Sequence, residues 1–385
     1  MKWKMIKLGD VITFRGGGTP RKDVPEYWSD EIPWATVKDF KGLVLERTRD
    51  FISPQGLASS ASNLIPSGHV IIPTRMALGK AAINAIDLAI NQDLRALIPK
   101  VPIDTVYLLH MMLGLSDEIQ SYGSGATVKG ITQEKLSELK IPLPPIEEQK
   151  RIAAILDAAD ALRAKRRESI AQLDALLQST FLDMFGDPVT NPMGWEKVKL
   201  GESGEVITGN TPSRSNPKYY GDFIEWIKSD NINTPSCFLT KAQEGLSELG
   251  KKVARVAPAG SILITCIAGS PACIGNAAIV DRVVAFNQQI NAFMPGSDVE
   301  LWYMFMLLVV GKSLIQSSST KSMKGMVSKS ALSSVSIPLP PLSLQRRFSS
   351  IVEAAERQKA RLRAHLDELD ALFSSLQSRA FNGEL

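Results

Sequence analysis

The chain has 385 residues, 44% hydrophobic and 22% charged, with 44 Lys and Arg against 40 Asp and Glu for a formal net charge of +4. That length and composition exclude a disordered or fibrous polypeptide and suffice for two globular domains with packed cores. The small basic excess permits a polyanionic partner without requiring one. Cys237, Cys266 and Cys273 form no C-x-x-C pair, which fits reduced cytosolic thiols.

In chain order, Met1-Lys2-Trp3-Lys4-Met5-Ile6-Lys7 lacks an apolar signal-peptide core. Strand-like runs follow at residues 10–14, 32–37, 69–74, 81–86 and 95–98, separated by Gly, Pro, Asn and Asp. Apolar spacing predicts a helix over 104–121, then a Gly/Ser loop over 122–130 and a short helix capped by Thr132. Ile141-Pro142-Leu143-Pro144-Pro145 ends the globular part, because proline cannot continue a strand ladder and suits a helix start. Glu147 and Glu148 then fall in the first helical turn, where the dipole favours carboxylates.

The chain is then written a second time. Lys7-Leu8-Gly9, Thr19-Pro20, Pro25-x-Tyr27 and Trp34 recur 192 positions later as Lys199-Leu200-Gly201, Thr211-Pro212, Pro217-x-Tyr219 and Trp226. Pro66-x-Gly68 recurs at the same shift as Pro258-x-Gly260. Beyond a small insertion the shift is 196. Gly79-x-Ala81-Ala82, Asn91-Gln92 and Tyr107 match Gly275-x-Ala277-Ala278, Asn287-Gln288 and Tyr303. Ile141–Pro145, Gln149 and Leu173-Asp174-Ala175-Leu176 match Ile337–Pro341, Gln345 and Leu369-Asp370-Ala371-Leu372. Ser328 stands at the capping position of Thr132. Such a period is too long for a solenoid repeat, so each copy is a domain with an extension.

The extensions, 146–185 and 342–380, contain no Gly or Pro and carry apolar residues in 3-4 alternation, the seam of a helical pair. Arg166 and Lys359 fall on or near the seam and weaken it there. Forty residues give a rod of about 60 Å. Two-fold-related copies would pair their stripes antiparallel, with a globular domain at each end of the spacer. The most apolar run, Leu301–Val310, is about half a membrane span and reads as a buried helix, so a cytoplasmic protein with no membrane association is expected. The fold class expected is mixed α+β: a duplicated α/β domain, each copy followed by a long helix, the helices forming an antiparallel coiled coil with pseudo-two-fold symmetry.

A pseudo-two-fold protein offers equivalent surfaces to two half-sites of duplex DNA, and diverged copies would read an asymmetric, bipartite target with an unread spacer. Over its full length the sequence resembles the specificity subunits of type I restriction-modification systems. The resemblance is carried by Lys7-Leu8-Gly9-Asp10, the Gly18-Thr19-Pro20 turn, Ile32-Pro33-Trp34, Ile141–Pro145 with Gln149, and their second-copy counterparts. Ile224-Glu225-Trp226 departs from it, with Glu225 where the first copy has Pro33, and only a local change in the start of the strand is expected.

The resemblance implies target recognition domains at 1–141 and 188–337, a central helical region at 142–187 and a C-terminal one at 338–385. It further implies docking of two adenine methyltransferase subunits and association with restriction/translocase subunits. No cofactor is expected on this chain; S-adenosylmethionine, ATP and Mg belong to the partners. Two other readings are a scaffold spacing two protein-binding domains and a self-contained methyltransferase or nuclease.

Catalytic motifs do not support the enzyme reading. Phe14-Arg15-Gly16-Gly17-Gly18 fits F-x-G-x-G, but the second copy does not keep it, and no Asn-Pro-Pro-Tyr/Phe segment accompanies it. A glycine-rich turn is the better reading. Gly79-Lys80-Ala81 is not a Walker A sequence. Glu225-Trp226-Ile227-Lys228 is at most half of a nuclease site. His69, His110 and His365 are scattered, so neither zinc spacing nor a triad follows.

Lys and Arg suit phosphates, and Arg, Asn, Gln, Ser and Thr suit base edges. The DNA-contacting candidates are Thr19, Arg21, Lys22, Lys38, Arg75, Lys80, Thr127 and Lys129 in the first domain. In the second they are Ser213, Arg214, Lys218, Lys228, Lys321, Lys324 and Lys329. The helical clusters Arg163, Lys165, Arg166, Arg167 and Arg357, Lys359, Arg361, Arg363 read either as a solvated face or as a basic strip over spacer phosphates.

Overall fold

A computed structural model describes residues 3–124, 129–320 and 325–385. They fall into two compact units, Met1–Arg167 with Ala364–Leu385, and Glu168–Arg363. Each unit thus combines one globular copy with segments of two long helices.

In the first unit, one sheet has the strand order Ile12–Gly16, Leu94–Pro99, Val70–Pro73, Ala82–Asn84, Val44–Leu45, antiparallel except for the last pair. Val70–Pro73 is buried at all four residues, as a β-branched run in mid-sheet should be. A second sheet orders Asp50–Ile52, Ile32–Ala35, Leu88–Ile90 and Leu64–Ile65, with Ile32–Ala35 and Leu88–Ile90 parallel.

The sequence-based expectations differ locally from these bounds. Residues 8–11 turn helical, so the run expected at 10–14 begins as a strand at Ile12. The helix expected over 104–121 breaks at Leu115 into Thr105–Gly114 and Ser116–Ser121, with Asp104 capping the first by accepting from Tyr107 N at 2.9 Å. Lys140–Pro142 is itself a strand, paired with Met5–Lys7. Proline is tolerated there because it closes a two-stranded ribbon at its last residue.

The second unit repeats the plan. One sheet runs Gly204–Thr208, Ile290–Pro295, Ile262–Thr265, Ala277–Ile279; the other runs Gly245–Leu246, Tyr220–Ile227, Val284–Phe286, Val256–Ala257. Lys197–Lys199 pairs with Ser336–Pro338. A lone parallel bridge from Phe238 to Ile279 replaces the Val44–Leu45 strand of the first unit. Glu225 keeps the ladder place of Pro33: it pairs with Gly245 as Pro33 pairs with Phe51. The larger change is an ion pair, since Glu225 takes the Arg282 guanidinium at 2.6 Å and 2.9 Å, and position 282 corresponds to Ile86 in the first copy.

The long helices span Ile146–Phe185 and Leu342–Asn382. Within the second unit they run antiparallel, because Asp174 meets Lys359 while the later Phe181 meets the earlier Phe348. The duplicated Gln anchors each helix start. Gln149 accepts from Asp104 N at 2.9 Å and donates to Pro144 O at 2.9 Å; Gln345 accepts from Glu300 N at 2.9 Å and donates to Pro340 O at 2.8 Å. Both glutamines are buried. The repeated tyrosines are equally fixed, Tyr107 donating to Pro142 O and Tyr303 to Pro338 O. Among the described residues no helix is long and apolar enough to cross a membrane. Leu301–Val310 is a mostly buried helix.

Candidate nucleic-acid interface

Within each unit the repeated Thr-Pro, Asn-Gln and Trp motifs converge. In the first unit the Thr19 hydroxyl donates to Gln92 Oε1, Gly18 N donates to Ile90 O at 3.1 Å, and Trp34 Nε1 donates to Gly18 O at 3.1 Å. In the second, Thr211 donates to Gln288 Oε1 and Trp226 Nε1 to Asn210 O at 3.3 Å. Glycine explains how closely these segments cross: a Cβ on Gly17 would lie 1.9 Å from Ile90 O, and one on its counterpart Gly209 2.2 Å from Asn287 O. The glycine-rich run is therefore a backbone crossing, as the turn reading expects.

Around the first crossing lies a cleft of about 580 Å³, lined by Thr19, Lys22, Trp28, Thr36, Lys38, Met76, Gln92 and Asp93 among others. A second cleft of about 490 Å³ shares Met76, Gln92 and Asp93 and adds Arg75 and Ser124. Trp28 and Trp34 meet edge to face at 5.3 Å. Arg95, half-buried below, donates to Gln92 O at 2.9 Å. Burial, followed by the neighbouring Arg75, lowers the Arg95 pKa from its ordinary value.

Thr19, Lys22, Lys38 and Arg75 come together here. Arg21 instead closes on Asp23 at 2.6 Å, and Lys80 reaches Phe40 O at 3.4 Å. Lys129 is exposed, and its carbonyl accepts from Met76 N at 3.2 Å. Thr127, Lys321 and Lys324 lie outside the described residues.

The second crossing is furnished differently. The Arg214 guanidinium lies over Tyr220 at 4.5 Å and Trp226 at 5.1 Å, and donates to Glu244 at 2.8 Å. Lys228 reaches the other oxygen of Glu244 at 2.6 Å. Lys228 first, and Arg214 with it, hold the Glu244 carboxyl below the usual carboxylate range. Ser213 shares a hydrogen bond with Ser215 at 2.7 Å. Lys218 sits on an exposed turn whose carbonyl accepts from Ser247 Oγ at 2.5 Å. Lys329 lines a separate depression with Glu205 and Ser333.

Sequence reasoning missed Gln92, Asp93, Met76, Glu244, Tyr220 and Trp226 as site residues. Asn-Gln and Trp were already visible in the repeat and carried the signal. Arg163, Arg167, Lys359 and Arg363 of the helical basic clusters are paired with carboxylates. Arg163 engages Asp160 at 2.6 Å and Asp370 at 2.5 Å, and Arg167 reaches Asp370 at 3.2 Å. Lys359 engages Asp174 and Glu356, and Arg363 reaches Glu356 at 3.7 Å. Lys359 therefore does not weaken the seam as a lone charge would.

A family model described as the type I restriction modification DNA specificity domain matches residues 1–173 and again 192–369. The chain belongs to this specificity family. It contains two such domains in tandem, in a mixed α/β fold with long helices. Similar curated members include the MjaVIII specificity subunit of Methanocaldococcus jannaschii, 21% identical across 100% of this chain and 93% of that one. The EcoR124I/EcoR124II specificity subunit of Escherichia coli is 32% identical over 47% of this chain and 46% of its own. The match to the MjaIX subunit of M. jannaschii, 28% identical, likewise spans about half of each chain, 55% and 54%.

Two solved structures share the fold. One, from work on complex assembly and conformational transition of the type I R-M system, has a TM-score of 0.60 at 20% identity, covering 100% of this chain and 98% of that one. The other, the type I S subunit of M. genitalium, has a TM-score of 0.55 at 14% identity over 99% and 96%. All three cysteines are free, and burial pushes the Cys237 and Cys266 thiols up to about 11.

Proposed function

We propose that this protein is the DNA-reading subunit of a type I restriction-modification enzyme, each unit contacting one half of an asymmetric bipartite target in double-stranded DNA. The observation that carries the reading is one backbone crossing built twice and furnished with different side chains. Thr19–Gln92 and Thr211–Gln288 are the shared frame. Lys22, Lys38 and Met76 on one frame, and Arg214, Lys228 and Glu244 on the other, are what differ. A common frame with unlike linings is what reading two unlike half-sites demands, since base edges are discriminated by donor, acceptor and apolar placement.

In this reading the chain performs no chemistry. It docks two methyltransferase subunits and associates with restriction/translocase subunits. S-adenosylmethionine, ATP and Mg act on those partners, in the cytoplasm.

Selection from a random duplex pool by the assembly with its methyltransferase subunit tests the proposal. One enriched motif, two fixed blocks flanking an unread centre, is expected. Recovery without sequence enrichment would overturn it in favour of a scaffold.

A further inference from the structure

The second crossing holds a cation in a manner that the first does not. Arg214 rests on two aromatic rings, and both rings are locked to its own loop. Tyr220 Oη donates to Pro212 O at 2.6 Å, Trp226 Nε1 donates to Asn210 O at 3.3 Å, and the rings meet each other at 6.0 Å and 73°. Glu244 takes Nη2 at 2.8 Å and fixes the guanidinium against rotation in the plane of the stack. Despite these contacts the side chain is 57% exposed. A guanidinium has five N–H donors in a rigid fork, so one bond to Glu244 leaves most of the fork for a ligand. Two cations, Arg214 and Lys228, face the single carboxylate of Glu244, so the cluster keeps a positive charge.

Immobilising an exposed, rotamer-rich arginine in advance removes the ordering cost that binding would otherwise incur. The first unit has no such device. Lys22 stands where Arg214 does and Thr36 where Lys228 does, although the paired aromatics remain as Trp28 and Trp34. The shared frame does not require Arg214, so the residue belongs to what distinguishes one half-site from the other.

We propose that Arg214 reads a guanine in the half-site contacted by the second unit, its fork donating to O6 and N7 in the major groove while Tyr220, Trp226 and Glu244 hold it in place. Guanine alone offers two adjacent acceptors on that edge; adenine offers an acceptor beside a donor, which a donor-only fork rejects. A phosphate also accepts a guanidinium fork, and the experiment separates the two.

This inference rests on the reading of the two crossings as DNA-contacting surfaces. Its test uses the assembly with the methyltransferase subunit. The wild-type target duplex is compared with duplexes carrying 7-deazaguanine at each guanine in turn, for the wild-type protein and for Arg214→Ala. The base analogue removes N7 without altering pairing and needs no protein variant. One guanine, in one half-site only, should lose roughly 5- to 150-fold in affinity on losing N7. Arg214→Ala should relax the motif at that same position, lose little further there with the analogue, and leave the other half-site unchanged. If Arg214→Ala leaves every motif position intact while affinity and salt slope fall, Arg214 binds phosphate and the inference is wrong. If neither motif nor affinity changes, the stack is a packing feature and the inference is equally wrong. If the wild-type assembly selects no motif at all, the underlying DNA-reading proposal fails first.

Discussion

Met76 has a backbone φ of +65°, in the left-handed region, and its side chain is 62% exposed between the two clefts of the first unit. A non-glycine residue there costs about 1–2 kcal/mol, and an exposed methionine repays little of that through packing. Thymine methyl groups and other apolar base surfaces are what such a side chain can meet in a groove. Met76→Gly relieves the backbone cost, offset in part by the greater unfolded freedom of glycine. Thermal stability should therefore hold or rise, while affinity for the target duplex falls. A drop in melting temperature with unchanged affinity would make Met76 a structural residue. Little of this was legible in the sequence: nothing in Thr74-Arg75-Met76-Ala77 signals a positive φ, and Met76 N donates to Lys129 O, more than fifty positions further along the chain.

At the scale of elements, the long helices are held by two matching charge clasps. Arg163 with Asp160 and Asp370 corresponds, at the repeat shift, to Lys359 with Glu356 and Asp174. Lys359 is only 3% exposed. Burial opposes its charge, but its bonds to Asp174 and Glu356 prevail and raise its pKa above the ordinary value. Replacing Lys359 by Met leaves the largely buried Glu356 with only the longer contact to Arg363 at 3.7 Å. The loss should be about 2–3 kcal/mol, below the range for a fully buried pair because Asp174 remains half exposed. Lys359→Met with Glu356→Leu should recover most of it, as buried ion pairs exchanged for apolar groups generally do. Equal melting temperatures for wild type and the single variant would show that the clasp contributes nothing.

The helices themselves were readable, since an absence of Gly and Pro over forty residues and a 3-4 apolar alternation leave few alternatives. The clasps were not, because one carboxylate of each, Asp370 for Arg163 and Asp174 for Lys359, comes from the other helix, 207 and 185 positions away. The buried glutamines lie between these cases: the Pro-Pro-x-x-x-Gln repeat marked Gln149 and Gln345 as important, and only the fold reveals that each satisfies one backbone N–H and the carbonyl of a proline, with Gln345 also donating to Asp298 O at 3.2 Å.

For the whole molecule, the duplication was the decisive sequence signal, and it survives as paired structure: Thr19–Gln92 with Thr211–Gln288, Tyr107–Pro142 with Tyr303–Pro338. Candidate site residues chosen by charge alone fared unevenly. Lys22, Lys38 and Arg75 line the clefts, while Arg21 and Lys80 are spent on Asp23 and Phe40. Charge shows what a residue can bind, and topology decides whether it faces a shared cleft.

The central claim is that each unit reads its own half-site. Its most direct test is the genome-wide adenine-methylation map written by the chain coexpressed with its methyltransferase subunit, wild type against Lys38→Ala/Met76→Ala. The account predicts one bipartite motif for the wild type. For the variant it predicts a motif relaxed in one block only, with the other block and the unread spacing intact. Relaxation of both blocks together, or a wild-type map with a single undivided motif, would contradict it.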